Sequence, residues 1–211
     1  MMHAPHITKP EEDFRGKYES KNPIMQMFLR NFFATLHHLI PADVTSALEV
    51  GCGEGYSTQK LRTFLPSAQL HASDVTPALV ELTKQGNPTV QCSVESIYDL
   101  QRKAASVDLV FALEVLEHLD RPLDALKELA RVTKKWAIIS VPNEPLWRVM
   151  NLARGTYVRG WGNTPGHINH WTPWGFRRFV SQAFVVQTGK QPIPWTMLLL
   201  EKTQLKTVNI Q

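Results

Sequence analysis

The chain is 211 residues long, with 43% hydrophobic and 20% charged residues, enough for one substantial core and short for two. Its formal charge of +4, from 23 basic and 19 acidic residues, is scattered without a basic stripe and gives no sign of a nucleic-acid partner. No run approaches the roughly eighteen apolar residues of a membrane span, and the first residues lack the basic-then-apolar pattern of a secretory leader, so a cytoplasmic protein is expected.

Residues 1–22 are polar and without period, and are expected to form a flexible arm. From Pro23, a first-turn residue, Ile24, Met27, Phe28, Asn31, Phe32, Thr35, Leu36 and Leu39 recur at helical spacing until Pro41 closes the run. Residues 1–44 are thus expected to be an arm and a helix that packs on the main domain and can serve as a lid. Residues 45–211 are expected to be one domain.

Within it, Ala47–Val50 is a short apolar strand that runs into the turn Gly51-Cys52-Gly53-Glu54-Gly55. Ser57 to Leu65 predicts a helix, stopped by Pro66. Gln69–Asp74 is a second strand with an acidic end, and Thr76 and Pro77 open a second helix. Thr89–Val94 is a third strand. Val107–Leu113, nearly all apolar, fits a strand buried on both faces. Pro122 introduces a helix with Leu126, Leu129 and Val132 on one side, and Trp136–Val141 is a fifth strand. This alternation implies a parallel sheet with right-handed crossovers. It then lapses. Residues 143–175, rich in Trp, Gly, Pro, Asn and His, are expected to be an irregular aromatic insertion. A helix near Pro173–Ala183 and strands Phe184–Thr188 and Thr196–Lys202 complete the domain. Cys52 and Cys92 are too few for a disulfide scaffold and are expected as free thiols.

The glycine turn sits between a strand and a helix, as a nucleotide-binding loop must. Its spacing is not that of a dinucleotide site, which expects G-x-G-x-x-G for a pyrophosphate. Here Glu49 stands two residues before the first glycine; a carboxylate there repels pyrophosphate and attracts a cation. Residues 48–55 resemble the first motif of class I S-adenosylmethionine (SAM)-dependent methyltransferases. The segments at Asp74, Cys92 to Glu95 and Val107 to His118 are similar to further elements of that family, and the similarity covers about residues 45–145.

The resemblance implies a Rossmann-like α/β three-layer sandwich with a mostly parallel seven-stranded sheet and an antiparallel last strand. It implies SAM as methyl donor, bound by Glu49, Gly51, Cys52, Gly53, Asp74, Val75, Ser93, Val94, Glu95, Leu113 and Glu114. Asp74 would hold the ribose hydroxyls and the Ser93–Glu95 segment the adenine, although many relatives carry Asp where this chain has Ser93.

Glu114, Glu117 and His118 follow the fourth strand; in a helix they would share a face. His118 is nominated first, and His167 second, as general base for an acceptor hydroxyl, because imidazole titrates near neutrality. Similar residues bind a divalent cation in small-RNA 3′-end 2′-O-methyltransferases and some ubiquinone-pathway O-methyltransferases, with a histidine placed like His167. A metal-free pocket is the expectation here, since ligand count alone does not establish a metal. The aromatic insertion, with Trp147, Tyr157, Trp161, Trp171 and Trp174, is expected to form the site for a small-molecule acceptor, methylated on oxygen. The rivals are RNA 2′-O-methylation with a metal and a SAM-binding scaffold without turnover. Oligomeric state has no signal in the sequence.

Overall fold

The computed structural model describes residues 18–153, 155 and 157–203. The expected polar arm therefore falls mostly outside the described residues. In chain order the elements are α1 (Pro23–Leu39), β1 (Ser46–Val50), α2 (Tyr56–Phe64), β2 (Gln69–Asp74), α3 (Pro77–Gly86), β3 (Gln91–Val94) and β4 (Val107–Leu113). There follow α4 (Pro122–Val132), β5 (Thr133–Pro142), α5 (Glu144–Ala153), α6 (Pro173–Val180), β6 (Phe184–Lys190) and β7 (Trp195–Lys202).

The seven strands form one sheet in the order β3-β2-β1-β4-β5-β7-β6. β1 pairs in parallel with both β2 and β4, and β4 with β5. Only β7 reverses, running antiparallel to β5 and β6 as expected for the last strand. The chain winds outward from β1 to β3 and then returns to place β4 on the other side of β1. Such a switch opens a crevice at the strands' carboxyl ends, between the loops leaving β1 and β4. The candidate site lies there.

Every residue of β4 is buried, as its apolar run requires. Its side chains alternate: Val110 and Ala112 join the core under α4 and α6, while Leu109, Phe111 and Leu113 join the core under α1 and α2. The sheet is thus covered on both faces. At the opposite end of the strands, Asp108 accepts from the Thr45 backbone N–H and hydroxyl, the Ser46 N–H and Lys134. The Lys134 ammonium, with the Thr45 hydroxyl, holds its carboxyl well below the ordinary carboxylate range.

Asn22 caps α1 by accepting from Ile24 N–H at 2.9 Å. The buried face of α1 is Leu29, Phe32, Phe33, Leu36 and Leu39, a spacing of three and four. That face is rotated from the expected one, since Ile24 and Met27 are exposed. Contact with β7 decides the rotation: the Phe32 ring meets the buried Trp195 ring edge-on at 5.0 Å.

The 143–175 segment is less irregular than expected. Its first ten or so residues form α5, with Glu144 in the first turn, where a carboxylate favours a helix N-terminus. The glycines and prolines further on masked this helical stretch in the sequence.

Candidate active site

The loop after β1 is built from backbone hydrogen bonds. Gly51 N–H and Cys52 N–H both donate to the Ser73 carbonyl, at 2.8 and 3.0 Å, which ties the loop to the end of β2. α3 fixes the far side: the Thr83 hydroxyl donates to the Gly53 carbonyl at 2.8 Å, and Asn87 Nδ2 to the Gly55 carbonyl at 3.2 Å. Two glycines matter for different reasons. Gly51, at φ 77, leaves no room for a Cβ, which would lie 2.6 Å from Val115. Gly53, at φ 55, faces open space, as a backbone that receives a ligand should. The Val115 contact also sets the first loop directly against the turn that follows β4.

Glu49 points into this region from β1 and is 1% exposed. Its Oε2 accepts from the Thr58 hydroxyl at 2.5 Å. Oε1 is buried and accepts no hydrogen bond of ordinary geometry. Burial raises the Glu49 carboxyl to about 7, against the Ser57 and Thr58 hydroxyls that favour its charge, with the Asp74 carboxylate adding to the rise. A buried acid with one unsatisfied oxygen suits the ammonium of a cationic ligand. Asp74 closes β2, accepting from Gly53 N–H at 3.1 Å and Thr76 N–H at 2.9 Å. Each oxygen keeps a further lone-pair direction, the number a vicinal diol would use.

Val75 and Val94, at the ends of neighbouring strands, are unusually exposed for valine, at 39% and 52%. Apolar side chains left bare beside Asp74 suit the face of a flat base. Cys52 is buried against Thr83, and burial pushes its thiol up. Glu95 is engaged elsewhere. Its carboxylate receives the Ser93 hydroxyl, Arg102 at 3.1 Å and the Gln101 N–H at 3.0 Å, and its own N–H donates to the Asp74 carbonyl. It braces the β3 loop and so fixes the Ser93–Glu95 segment beside Asp74.

The residues after β4 are not a continuous helix. Leu113 ends the strand, buried, and Glu114 takes a left-handed conformation at φ 59. The chain then forms a 3-10 turn over Leu116–His118. The condition under which Glu114 would share a face with Glu117 and His118 is therefore not met. Its carboxylate accepts from Trp195 Nε1 and from the Ser140 hydroxyl, toward β5 and β7. Glu49 and Glu114 both act electrostatically on the Tyr18 hydroxyl, whose burial is the main cause of its raised pKa. The Tyr18 ring stacks on Tyr56 at 4.8 Å. Tyr18, just before α1, thus lies close to Glu49, Glu114 and Tyr56.

Glu117, His118 and His167 do come together, all buried, with one ligand atom from each within 4.8 Å of the others. Their rings are set by acceptors behind them. His118 Nδ1 lies 3.0 Å from the Gly166 carbonyl, which can only accept, so Nδ1 carries the proton. His167 Nδ1 lies 2.6 Å from the buried carboxylate of Glu144 and is protonated for the same reason. In the neutral rings both Nε2 atoms carry lone pairs, and the rings meet edge to face at 4.9 Å. Backbone bonds from Ile168 and Asn169 to the Glu117 carbonyl hold the insertion on this turn. Tyr18, Glu144 and Trp195 escaped the sequence reading. Glu144 alone carried a signal, as an acid just past the carboxyl end of a strand.

Of the insertion's aromatics, Trp147 donates from Nε1 to the Thr164 hydroxyl at 2.8 Å and lies 5.9 Å from Trp195, while Trp171 packs on Phe176 and Phe179. Trp161 and Trp174 face outward, at 79% and 70% exposed.

Residues 48–141 match the family model described as a methyltransferase domain. A malonyl-[acyl-carrier protein] O-methyltransferase of Hahella chejuensis is 33% identical over 96 residues, which are 44% of this chain and 33% of that protein. A ubiquinone biosynthesis O-methyltransferase of Xanthomonas oryzae is 32% identical over 92 residues, 41% of this chain and 38% of that one. The match thus spans little more than a third of the length of these curated relatives. In fold, the chain is similar to a SAM-dependent methyltransferase from Aquifex aeolicus, with TM-score 0.69 at 17% identity over 92% of this chain and 100% of that one. It is likewise similar to a magnesium protoporphyrin IX methyltransferase from Synechocystis with bound SAH, at TM-score 0.65 and 15% identity over 86% of this chain and 88% of that one. Through its residues 48–141 and its sheet order, the chain is similar to class I SAM-dependent methyltransferases.

Proposed function

We propose that the protein moves the methyl group of SAM to an oxygen of a small organic acceptor, in the cytoplasm, where Cys52 and Cys92 stay thiols. The observation that carries this reading is the pairing of two features across one crevice. On one side is a buried acid with an unsatisfied oxygen, Glu49. On the other are two oriented imidazoles, His118 and His167. Glu49 would receive the donor's ammonium, Asp74 the ribose hydroxyls, and Val75 and Val94 the adenine face, with Gly51, Cys52 and Gly53 supplying the backbone around them. SAM supplies an already activated methyl on positive sulfur, so most of the protein's work is alignment and exclusion of water. The acceptor oxygen forms its bond to the methyl carbon while the carbon–sulfur bond breaks with its pair on sulfur. The hydroxyl proton passes to Nε2 of His118 or His167, and Glu144 stabilises the imidazolium of His167. Tyr18 and α1 act as the cover over this reaction, and Trp147 and Trp171 support the acceptor side.

A second reading is supported by the close approach of the Glu117, His118 and His167 ligand atoms. One carboxylate and two imidazoles, each ring backed by an acceptor, are a donor set that fits a first-row divalent cation. There the cation would lower the pKa of an acceptor hydroxyl, while Gly166 and Glu144 hold the rings. A screen of hydroxylated acceptors with labelled methyl donor, run with and without chelator, tests both. Transfer unaffected by chelator supports the imidazole base; transfer lost and restored by added Mn2+ or Zn2+ supports the cation. Failure of SAM to bind at all would end both readings.

A further inference from the structure

Helix α5 departs from an ordinary surface helix, although Leu146, Trp147 and Met150 are half-buried along it. Its buried residues are Glu144 and Asn151, whereas Val149 and Leu152 are exposed on its outer side. The following loop is fastened to it. Asn151 Nδ2 donates to the Gly162 carbonyl at 2.9 Å and to the Thr164 hydroxyl at 3.2 Å. Gly162 packs so closely on Arg148 that a Cβ would lie 2.4 Å from its carbonyl oxygen. Trp161 takes a left-handed conformation at φ 52, an uncommon one for a bulky residue, and its ring remains 79% exposed. Val158, one turn earlier, is 59% exposed.

Charge singles out the same segment. Residues 143–178 contain five arginines, no lysine and one acid, so they carry the whole formal excess of four positive charges, and the remainder of the chain is neutral. The one acid, Glu144, is turned inward to His167. At the far end of the segment, Arg178 lies over the exposed Trp174 ring at 5.7 Å. Bare aliphatic residues, exposed tryptophan and arginine without surface acid are the composition of an interfacial element. Apolar side chains left this bare are costly in water and favourable at the boundary between headgroups and acyl chains.

We propose that the outer face of residues 143–178 docks on an anionic lipid bilayer, with Val149, Leu152, Val158 and Trp161 entering the interface and Arg159 meeting the headgroups. Docking is peripheral, because no helix among the described residues is long and apolar enough to cross a membrane. A second copy of the chain is a poor occupant, since pairing this face with itself would bring two basic surfaces together. A nucleic acid would leave the aliphatic residues without a partner. The proposal goes beyond the methyl-transfer reading and does not depend on it.

Flotation of the full chain with vesicles of phosphatidylcholine, with or without phosphatidylglycerol, tests it. The protein should float with the phosphatidylglycerol vesicles, weakly with phosphatidylcholine alone, and less as salt rises. Trp161→Ser and Val149→Ser should each reduce the bound fraction severalfold, and Arg159→Gln by about fivefold on the anionic vesicles. Thermal melting and SAM binding of these variants should match the parent, which separates lost docking from lost folding. Absence of flotation on anionic vesicles overturns the proposal, as does flotation untouched by all three substitutions. A stable dimer in sedimentation that Trp161→Ser dissolves, or tight binding of a single-stranded RNA probe without flotation, also overturns it.

Discussion

The loop after β1 is held through its own backbone: Gly51 and Cys52 N–H donate to the Ser73 carbonyl, Gly53 N–H to the Asp74 carboxylate, and the Gly53 carbonyl accepts from the Thr83 hydroxyl. The segment after β5 is held through its own side chains: Trp147 to Thr164, Asn151 to Gly162, His167 to Glu144, and Asn169 to the carbonyls of Leu116 and Leu119. Both meet at one crevice. The first is a backbone device whose geometry is dictated by glycine positions and strand ends. The second is a tertiary assembly, free to change its surface while keeping one polar knot in place. A donor that is the same in every reaction suits the first; an acceptor that differs between enzymes suits the second.

If this division is right, damage on the acceptor side should fall on turnover and damage on the donor side on binding. The largest effect is expected for His118→Ala or His167→Ala: a loss of about 10²–10⁴ in the single-turnover rate, with SAM affinity unchanged. A fall in SAM affinity of the same size would merge the two halves and break the comparison. Next comes Glu49. Its folded carboxyl is raised from the ordinary value to about 7, so the folded state resists its ionisation. The contribution of Glu49 to the stability of the unliganded protein should therefore be greatest at pH below the ordinary carboxylate value and fall by on the order of 3 kcal/mol as pH rises to about 7 and beyond. Glu49→Gln should abolish that loss in urea titrations across this range, and weaken SAM by about 1–3 kcal/mol. A parent and variant with the same pH slope would remove the buried acid from the account.

Asp74→Ala should behave differently from Glu49→Gln although each removes a proposed SAM contact. It should cost about 1–3 kcal/mol of SAM affinity and also destabilise the free protein, because Gly53 N–H and Thr76 N–H lose their acceptor. Calorimetry and melting on one sample check both. The smallest effect is expected at Trp161, where Trp161→Ala should change stability by no more than about 0.5 kcal/mol. A larger loss would mean that the ring packs, and that the outer face is not a bare one.

The same contrast explains what the sequence made legible. β2 and β4 have the bounds their apolar runs predict, and the glycine turn lies where strand and helix signals meet. Those features are set by period and by backbone conformation. α5 was hidden by the glycines and prolines that follow it and by its two fully buried residues, Glu144 and Asn151, which are polar. The 3-10 turn at Leu116–His118 was read as a possible helix because three acids and bases at helical spacing satisfy either geometry; the left-handed Glu114 decides it. The ion pair of Glu95 with Arg102 left no signal, since its partner lies seven residues away across an irregular loop. Tyr18 left no signal, because its environment is made by Tyr56, Glu49 and Glu114 rather than by its neighbours in the chain.

Glu49 links fold, donor and chemistry, and its protonation can be counted. Calorimetric titration of SAM about one pH unit below 7, in two buffers of different ionisation enthalpy, reports the protons released on binding. The account predicts release of most of one proton from the parent, as the ammonium draws Glu49 into its charged form, and none from Glu49→Gln. Binding by the parent with no proton released, or equal release from the variant, would contradict it.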